Sequence, residues 1–164
     1  MPKKVFFPAG LTRHNIYERD YLTGKFSQYV DLPNSDILEI VIGNGRFVVL
    51  LGQRVDHYYG IDVDEEYVRH AEATAPAGAN ITYRVGSAEN IPFRRRFDIV
   101  FYAQSWHFIS GFEKALREAD SVLGPNGIVA ILEPSENTRN WASPKLRQGS
   151  PEFDERLYRQ KLRN

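Results

Sequence analysis

Two glycines and a carboxylate are the residues of this chain whose types and spacing first suggest chemistry. Gly43-Asn44-Gly45 follows Ser35 to Ile42, a short apolar run rich in Ile, Leu and Val, and leads into Phe47 to Leu51. Such a run reads as a buried parallel strand, and the glycines read as a tight turn into a helix. Glycine in that place lets backbone approach a ligand that a Cβ would exclude, while free N–H groups of the helix start face the same crevice. Asp62 closes the next apolar run, from near Asp56 to Ile61. It lies about twenty residues beyond the glycines, the offset at which a strand-end carboxylate in a doubly wound sheet takes ribose hydroxyls. An ordinary strand-to-helix turn and a helix-starting aspartate are the plainer alternatives. Asp64 with Glu65 and Glu66 already supplies the N-cap and acidic first turn of a helix running to about Thr74, which favours a ligand role for Asp62.

The elements that must hold these residues recur along the chain. A helix from about Arg46 to Gln53 carries Phe47, Val48, Leu50 and Leu51 into the core. Ile81 to Val85 predicts a third strand, followed by Gly86-Ser87-Ala88-Glu89-Asn90, where a serine or a backbone amide at 87 and 88 can receive the edge of a base. Phe97 to Tyr102 predicts a fourth strand, whose carboxyl end delivers Ala103 to Phe108 toward the crevice where such sheets bind ligands. Ser110-Gly111-Phe112-Glu113 reads as a capping box, and Phe112, Ala115, Leu116, Ala119, Val122 and Leu123 form an amphipathic stripe behind it. Gly124 to Gly127 then turns the chain into a fifth strand, Ile128 to Leu132. Strands alternating with helices imply right-handed crossovers and an α/β, doubly wound, mostly parallel five-stranded sheet.

Before this core, residues 1–34 read as an arm and a lid helix, with Tyr21, Leu22, Phe26 and Tyr29 on helical spacing. Tyr17 and Arg19 at its start can reach a ligand or pack on the surface. After the core of residues 35–134, the tail 135–164 offers Ser150-Pro151-Glu152 as a helix start, with Phe153, Leu157 and Leu162 behind it.

Composition narrows the classes of function. The chain has 164 residues, 42% of them hydrophobic, no net formal charge and no cysteine. One domain is expected, with neither nucleic acid nor a membrane as default partner, and a cytoplasmic setting without disulfides. Arg94-Arg95-Arg96 is too short a basic run for nucleic acid and reads as a solvated loop. The histidines lack metal-ligand spacing, and neither a phosphate-binding Gly-x-x-x-x-Gly-Lys nor a Gly-x-Ser-x-Gly elbow is present. A nicotinamide-binding protein shares the strand-end acid, but Val48 stands where its third glycine is expected.

As an ordered set, five segments resemble the class I S-adenosylmethionine-dependent methyltransferases, especially the small-molecule branch that includes trans-aconitate and ubiquinone-type enzymes. LEIVIGNGRF is similar to the glycine motif, YYGIDVDEEYV to the acidic ribose-binding motif, and VGSAENIPF to the adenine-side loop. RFDIVFYAQSWHFI is similar to the fourth strand with its following segment, and FEKALREADSVLGPNGIVAILEP to the helix and strand that close the half-sheet. The resemblance implies S-adenosylmethionine as cofactor and a small-molecule methyl acceptor. It places Glu39, Gly43 and Gly45 around the methionine part, Asp62 on the ribose, Val63 on the adenine, Ser87 and Ala88 at its polar edge, and Gln104 lining the cofactor next to the substrate. Catalysis then rests on proximity and orientation, with a base only if the acceptor must lose a proton. His107 is the titratable candidate at that strand end, although Trp106-His107-Phe108 can equally cover the pocket.

Three departures keep a second reading open, a catalytically impaired relative that binds the cofactor weakly or acts through protein contacts. Val41 stands where the family usually has glycine, so that its side chain can intrude on the methionine part. Ser87 stands where the family usually has aspartate. The family's sheet continues in two further strands, which the tail does not suggest. The fifth strand would then have an open edge, to be covered by the tail helix or by a second copy in a homodimer.

Overall fold

A computed structural model describes residues 13–132, with side chains from residue 18 onward. Helix α1 (Arg13–Phe26) precedes strand β1 (Asp36–Ile40), helix α2 (Arg46–Leu51) and strand β2 (His57–Asp62). Helix α3 (Glu65–Ala73), strand β3 (Ile81–Val85), strand β4 (Phe97–Ala103), helix α4 (Phe112–Val122) and strand β5 (Leu123–Leu132) follow. The five strands pair in the order β3-β2-β1-β4-β5, every pair parallel. This is the doubly wound sheet expected from the alternation of apolar runs and helices.

Both faces of the sheet are covered, so the central strands are apolar at successive positions rather than at alternate ones. Ile37, Tyr58, Ile99 and Phe101 point into a cluster with Leu22 and Phe26 of α1 and Phe47, Leu50 and Leu51 of α2. Phe26 and Phe47 both meet the Phe101 ring edge-on, at 5.3 and 5.5 Å. Leu38, Ile40, Val100 and Tyr102 point the other way, onto Ala115, Ala119 and Val122 of α4 and onto Ile91 and Phe93 of the loop before β4.

Several local expectations are corrected. Tyr21 and Tyr29 face solvent, because Tyr21 lies to the side of the stripe made by Leu22 and Phe26, and the helix ends before Tyr29. The capping box is not made. Gly111 occupies the N-cap of α4 with no side-chain cap, and its N–H donates to Glu89 Oε1 at 3.1 Å. A Cβ at Gly111 would lie 2.5 Å from that carboxyl group, so the acid from a distant loop displaces local capping. Gly124 to Gly127 is a bulge within β5 rather than a separate turn, since Leu123 pairs with Phe97 and Ile128 already with Ile99.

The basic run is exposed but not merely solvated. Arg95 bonds Asp36 and the Tyr59 hydroxyl and lies over the Tyr59 ring. Arg96 Nη1 donates to the carbonyls of Ser121 and Leu123, capping the end of α4. Among the described residues no helix is long and apolar enough to cross a membrane. The expected tail helix lies outside the described residues.

Candidate functional site

The strand order reverses between β1 and β4, so the chain leaves these neighbours in opposite directions and a crevice opens above their carboxyl ends. Among the described residues, the non-glycine positions with positive φ are Val41 (62°) and Gln104 (54°), which directly follow β1 and β4. Each such position carries a cost of about 1–3 kcal/mol, and such strain collects at ligand sites. The left-handed turn at Val41 is why β1 ends at Ile40, two residues sooner than the apolar run suggests. It also supplies a backbone reason for the glycine that the resemblance expects there. The Val41 side chain is half-buried against the cluster on the α4 side of the sheet.

The bend continues through two glycines with positive φ, Gly43 (50°) and Gly45 (75°). At Gly45 a Cβ would meet the Ala71 Cβ at 3.2 Å, so this glycine lets α3 pack against the bend. At Gly43 a Cβ would meet nothing within 4 Å, and the backbone there borders open space that a ligand can enter. Three amides of the bend and the helix start are already engaged. The Gly45 N–H bonds the Ile42 carbonyl, the Arg46 N–H bonds Asn44 Oδ1, and the Gly43 N–H bonds Asp62.

Asp62 is turned toward this bend. It is 3% exposed, and its Oδ2 accepts from the Gly43 N–H and its Oδ1 from the Asp64 N–H, each at 2.9 Å. Burial raises its pKa, while the backbone N–H groups oppose that shift by bonding the ionised form. Asp64 caps α3 itself, its Oδ1 accepting from the Glu66 N–H, so Asp62 is not needed as the cap. Glu39 is not in the loop. It sits within β1 opposite Gly60 and Phe101, 1% exposed, with the Tyr58 hydroxyl donating to Oε2 at 2.8 Å. Burial first, and the Asp62 charge in addition, push its pKa up to about 8, so at neutral pH it is mostly a neutral carboxylic acid.

Around Asp62, Val63 is 68% exposed, and Val85, opposite Asp62 in the register of β2 and β3, is exposed as well. Ser87 is half-buried, and its Oγ accepts from the Glu89 N–H at 3.1 Å in a turn closed by a bridge to Asn90. The turn is held beside Asp62 by the Gly86 N–H, which bonds the Asp62 carbonyl. Ala88 puts its side chain into the core, leaving only backbone for a base edge.

On the other side of the crevice Gln104 is exposed. Trp106 is core, its ring edge-on to Tyr102, so it does not cover the pocket. His107 is half-buried with its ring 4.0 Å from that of Phe108, which is 61% exposed. Tyr17 lies in α1 outside the residues whose side chains are described. Sequence reasoning missed Val85, whose signal was its place at a strand end. It also missed the Glu18–Arg46 ion pair that ties α1 to the residue after Gly45, and the buried Ser105, neither of which has a local signature. Among the described residues no group of acids and histidines is arranged to hold a metal ion.

Comparison with known proteins agrees with this geometry. A family model described as a methyltransferase domain matches residues 38–131. An uncharacterized methyltransferase-like protein of Schizosaccharomyces pombe is 30% identical over 146 residues, which cover 88% of this chain and 50% of that protein. The structure of the YcgJ protein of Bacillus subtilis superposes with a TM-score of 0.64 at 22% identity, covering 84% of this chain and 58% of that one. A SAM-dependent methyltransferase of Aquifex aeolicus superposes with a TM-score of 0.65 at 25% identity, covering 76% and 68%. The chain spans about half the length of the curated relatives it matches. Because the family model takes in the glycine bend, Asp62 and the segment after β4, and more than half of the sequence with them, the chain belongs to the methyltransferase-domain family.

Proposed function

We propose that the crevice binds S-adenosylmethionine and that the protein transfers its methyl group to a small molecule. The observation that carries this reading is the bond between Asp62 and the Gly43 N–H, which joins the strand-end acid and the glycine bend in one place. The residues present fit such a ligand. Beyond its bonds from the Gly43, Asp64 and Val63 N–H groups, an ionised Asp62 keeps acceptor capacity for the ribose hydroxyls. Val63 and Val85 offer exposed apolar surface for a flat base, and Gly43 leaves room for the amino-acid part.

The bound sulfonium would supply an activated methyl group whose leaving group needs no protonation. The protein's own task is then to bind, orient and exclude water. Gln104, exposed after β4, borders the methyl acceptor in this reading, and Phe108 offers it an apolar surface. His107 takes a proton only if the acceptor must lose one. His107→Asn is therefore expected to leave cofactor affinity within about twofold.

Calorimetric titration with S-adenosylmethionine tests the reading, and absence of measurable heat with the wild-type chain would remove it. Val41 and Ser87 favour the second reading, weak binding by an impaired relative. Val41→Gly addresses it directly. Removing the side chain relieves a left-handed strain of about 1–2 kcal/mol but gives up a half-buried contact of similar size, so stability changes little. Cofactor affinity is expected to rise severalfold, and an unchanged dissociation constant would show that Val41 does not obstruct the site.

A further inference from the structure

We infer that Ser105 is a positioning residue that sets the width of the crevice by clamping the bend after β1 to the bend after β4. The inference rests on the cofactor reading above for its effect on binding, but the clamp itself stands on geometry. β1 and β4 are paired up to Ile40 and Tyr102. Beyond that pair both chains turn left-handed, at Val41 and Gln104. Their next amides are drawn outward, that of Ile42 to the Ile61 carbonyl on β2 and that of Gln104 to the Leu132 carbonyl on β5. The ladder between the two central strands therefore splits where the ligand would enter. Ser105 Oγ spans the split, donating to the Ile40 carbonyl at 3.2 Å from a position 2% exposed to solvent. It holds the residue before Val41 and is itself the residue after Gln104, so one hydroxyl couples both strained positions. The cofactor loop begins at one and the acceptor-side segment at the other.

The clamp matters because Val41 resists the conformation it is held in. Ser105→Ala removes the hydroxyl bond to the Ile40 carbonyl, and the bend carrying Gly43 and Gly45 is expected to loosen. In a native-state hydrogen-exchange measurement on the free protein, the Gly43 and Gly45 amides of Ser105→Ala should exchange about tenfold or more faster, while those of the paired β4 residues Ile99 and Val100 keep their rates. Unchanged rates at Gly43 and Gly45, or equal acceleration throughout the sheet, would overturn the clamp. In calorimetry, Ser105→Ala should weaken S-adenosylmethionine about five- to tenfold in the wild-type background but less than twofold in the Val41→Gly background, where the strain is gone. The same loss in both backgrounds would overturn the coupling. If the wild-type chain binds no S-adenosylmethionine, the cofactor reading falls, and hydrogen exchange still decides whether Ser105 holds the bend.

Discussion

Asp62→Ala is expected to lower cofactor affinity roughly a hundredfold or more and to lower stability by about 2–4 kcal/mol, a fall in Tm of roughly 5–15 °C. Both effects follow from one carboxyl group. In the free protein it accepts from the Gly43 and Asp64 amides in a buried place, and its loss leaves those donors without a partner. In the complex it would also lose two bonds from ribose hydroxyls to a charged acceptor, each worth about 1.5–3 kcal/mol. Asp62→Asn separates the two roles. The asparagine carbonyl still accepts from one amide, so the stability loss should fall to about 1–2 kcal/mol. The neutral side chain, with an NH2 group turned toward a donor, should still bind poorly. Thermal unfolding and calorimetry on both variants check this, and wild-type affinity in Asp62→Asn would reduce Asp62 to a purely structural brace.

The second large effect is a pH dependence carried by Glu39. Its pKa is raised from 4.5 to about 8 in the folded protein, so the folded state holds a proton that the unfolded chain has released across that window. Stability is then fully present below pH 4.5 and falls as pH rises through about 8. Linkage puts the fall on the order of 4–5 kcal/mol, a large fraction of the 5–15 kcal/mol typical of a domain. Glu39→Gln keeps an acceptor for the Tyr58 hydroxyl but carries no ionisable group. Urea unfolding of both proteins from pH 5 to pH 9 should show the variant gaining on the wild type as pH rises. The contributions of Asp36, raised by burial, and of His57, lowered by burial, cancel in that difference. Curves that stay parallel would show that Glu39 is ionised at neutral pH.

The consequences of these two carboxylates were not equally legible. That Asp62 would meet the glycine bend followed from its place at the end of β2, because β1 and β2 are parallel neighbours and residues just past their ends must share a crevice. Nothing around Glu39 in the sequence shows that Tyr58, on the adjacent strand, bonds its carboxyl, or that sheet and helices exclude water from it. Likewise Ser110 and Glu113 have capping-box spacing, yet Glu89 takes the helix start, since a carboxylate brought in by the fold competes with a local one.

By itself the sequence determined the order of strands and helices, the positions of the glycine bend and Asp62, and membership of the methyltransferase-domain family. These are properties of local pattern: apolar runs choose their elements, glycines choose the turns, and parallel crossovers leave few ways to stack the result. Tertiary structure alone decided where β1 stops, that Glu39 is held neutral, and that Ser105 reaches the Ile40 carbonyl across the split between β1 and β4. Each of these depends on which groups from distant parts of the chain surround one atom, and on how much water they leave there, quantities that exist only once the strands are side by side.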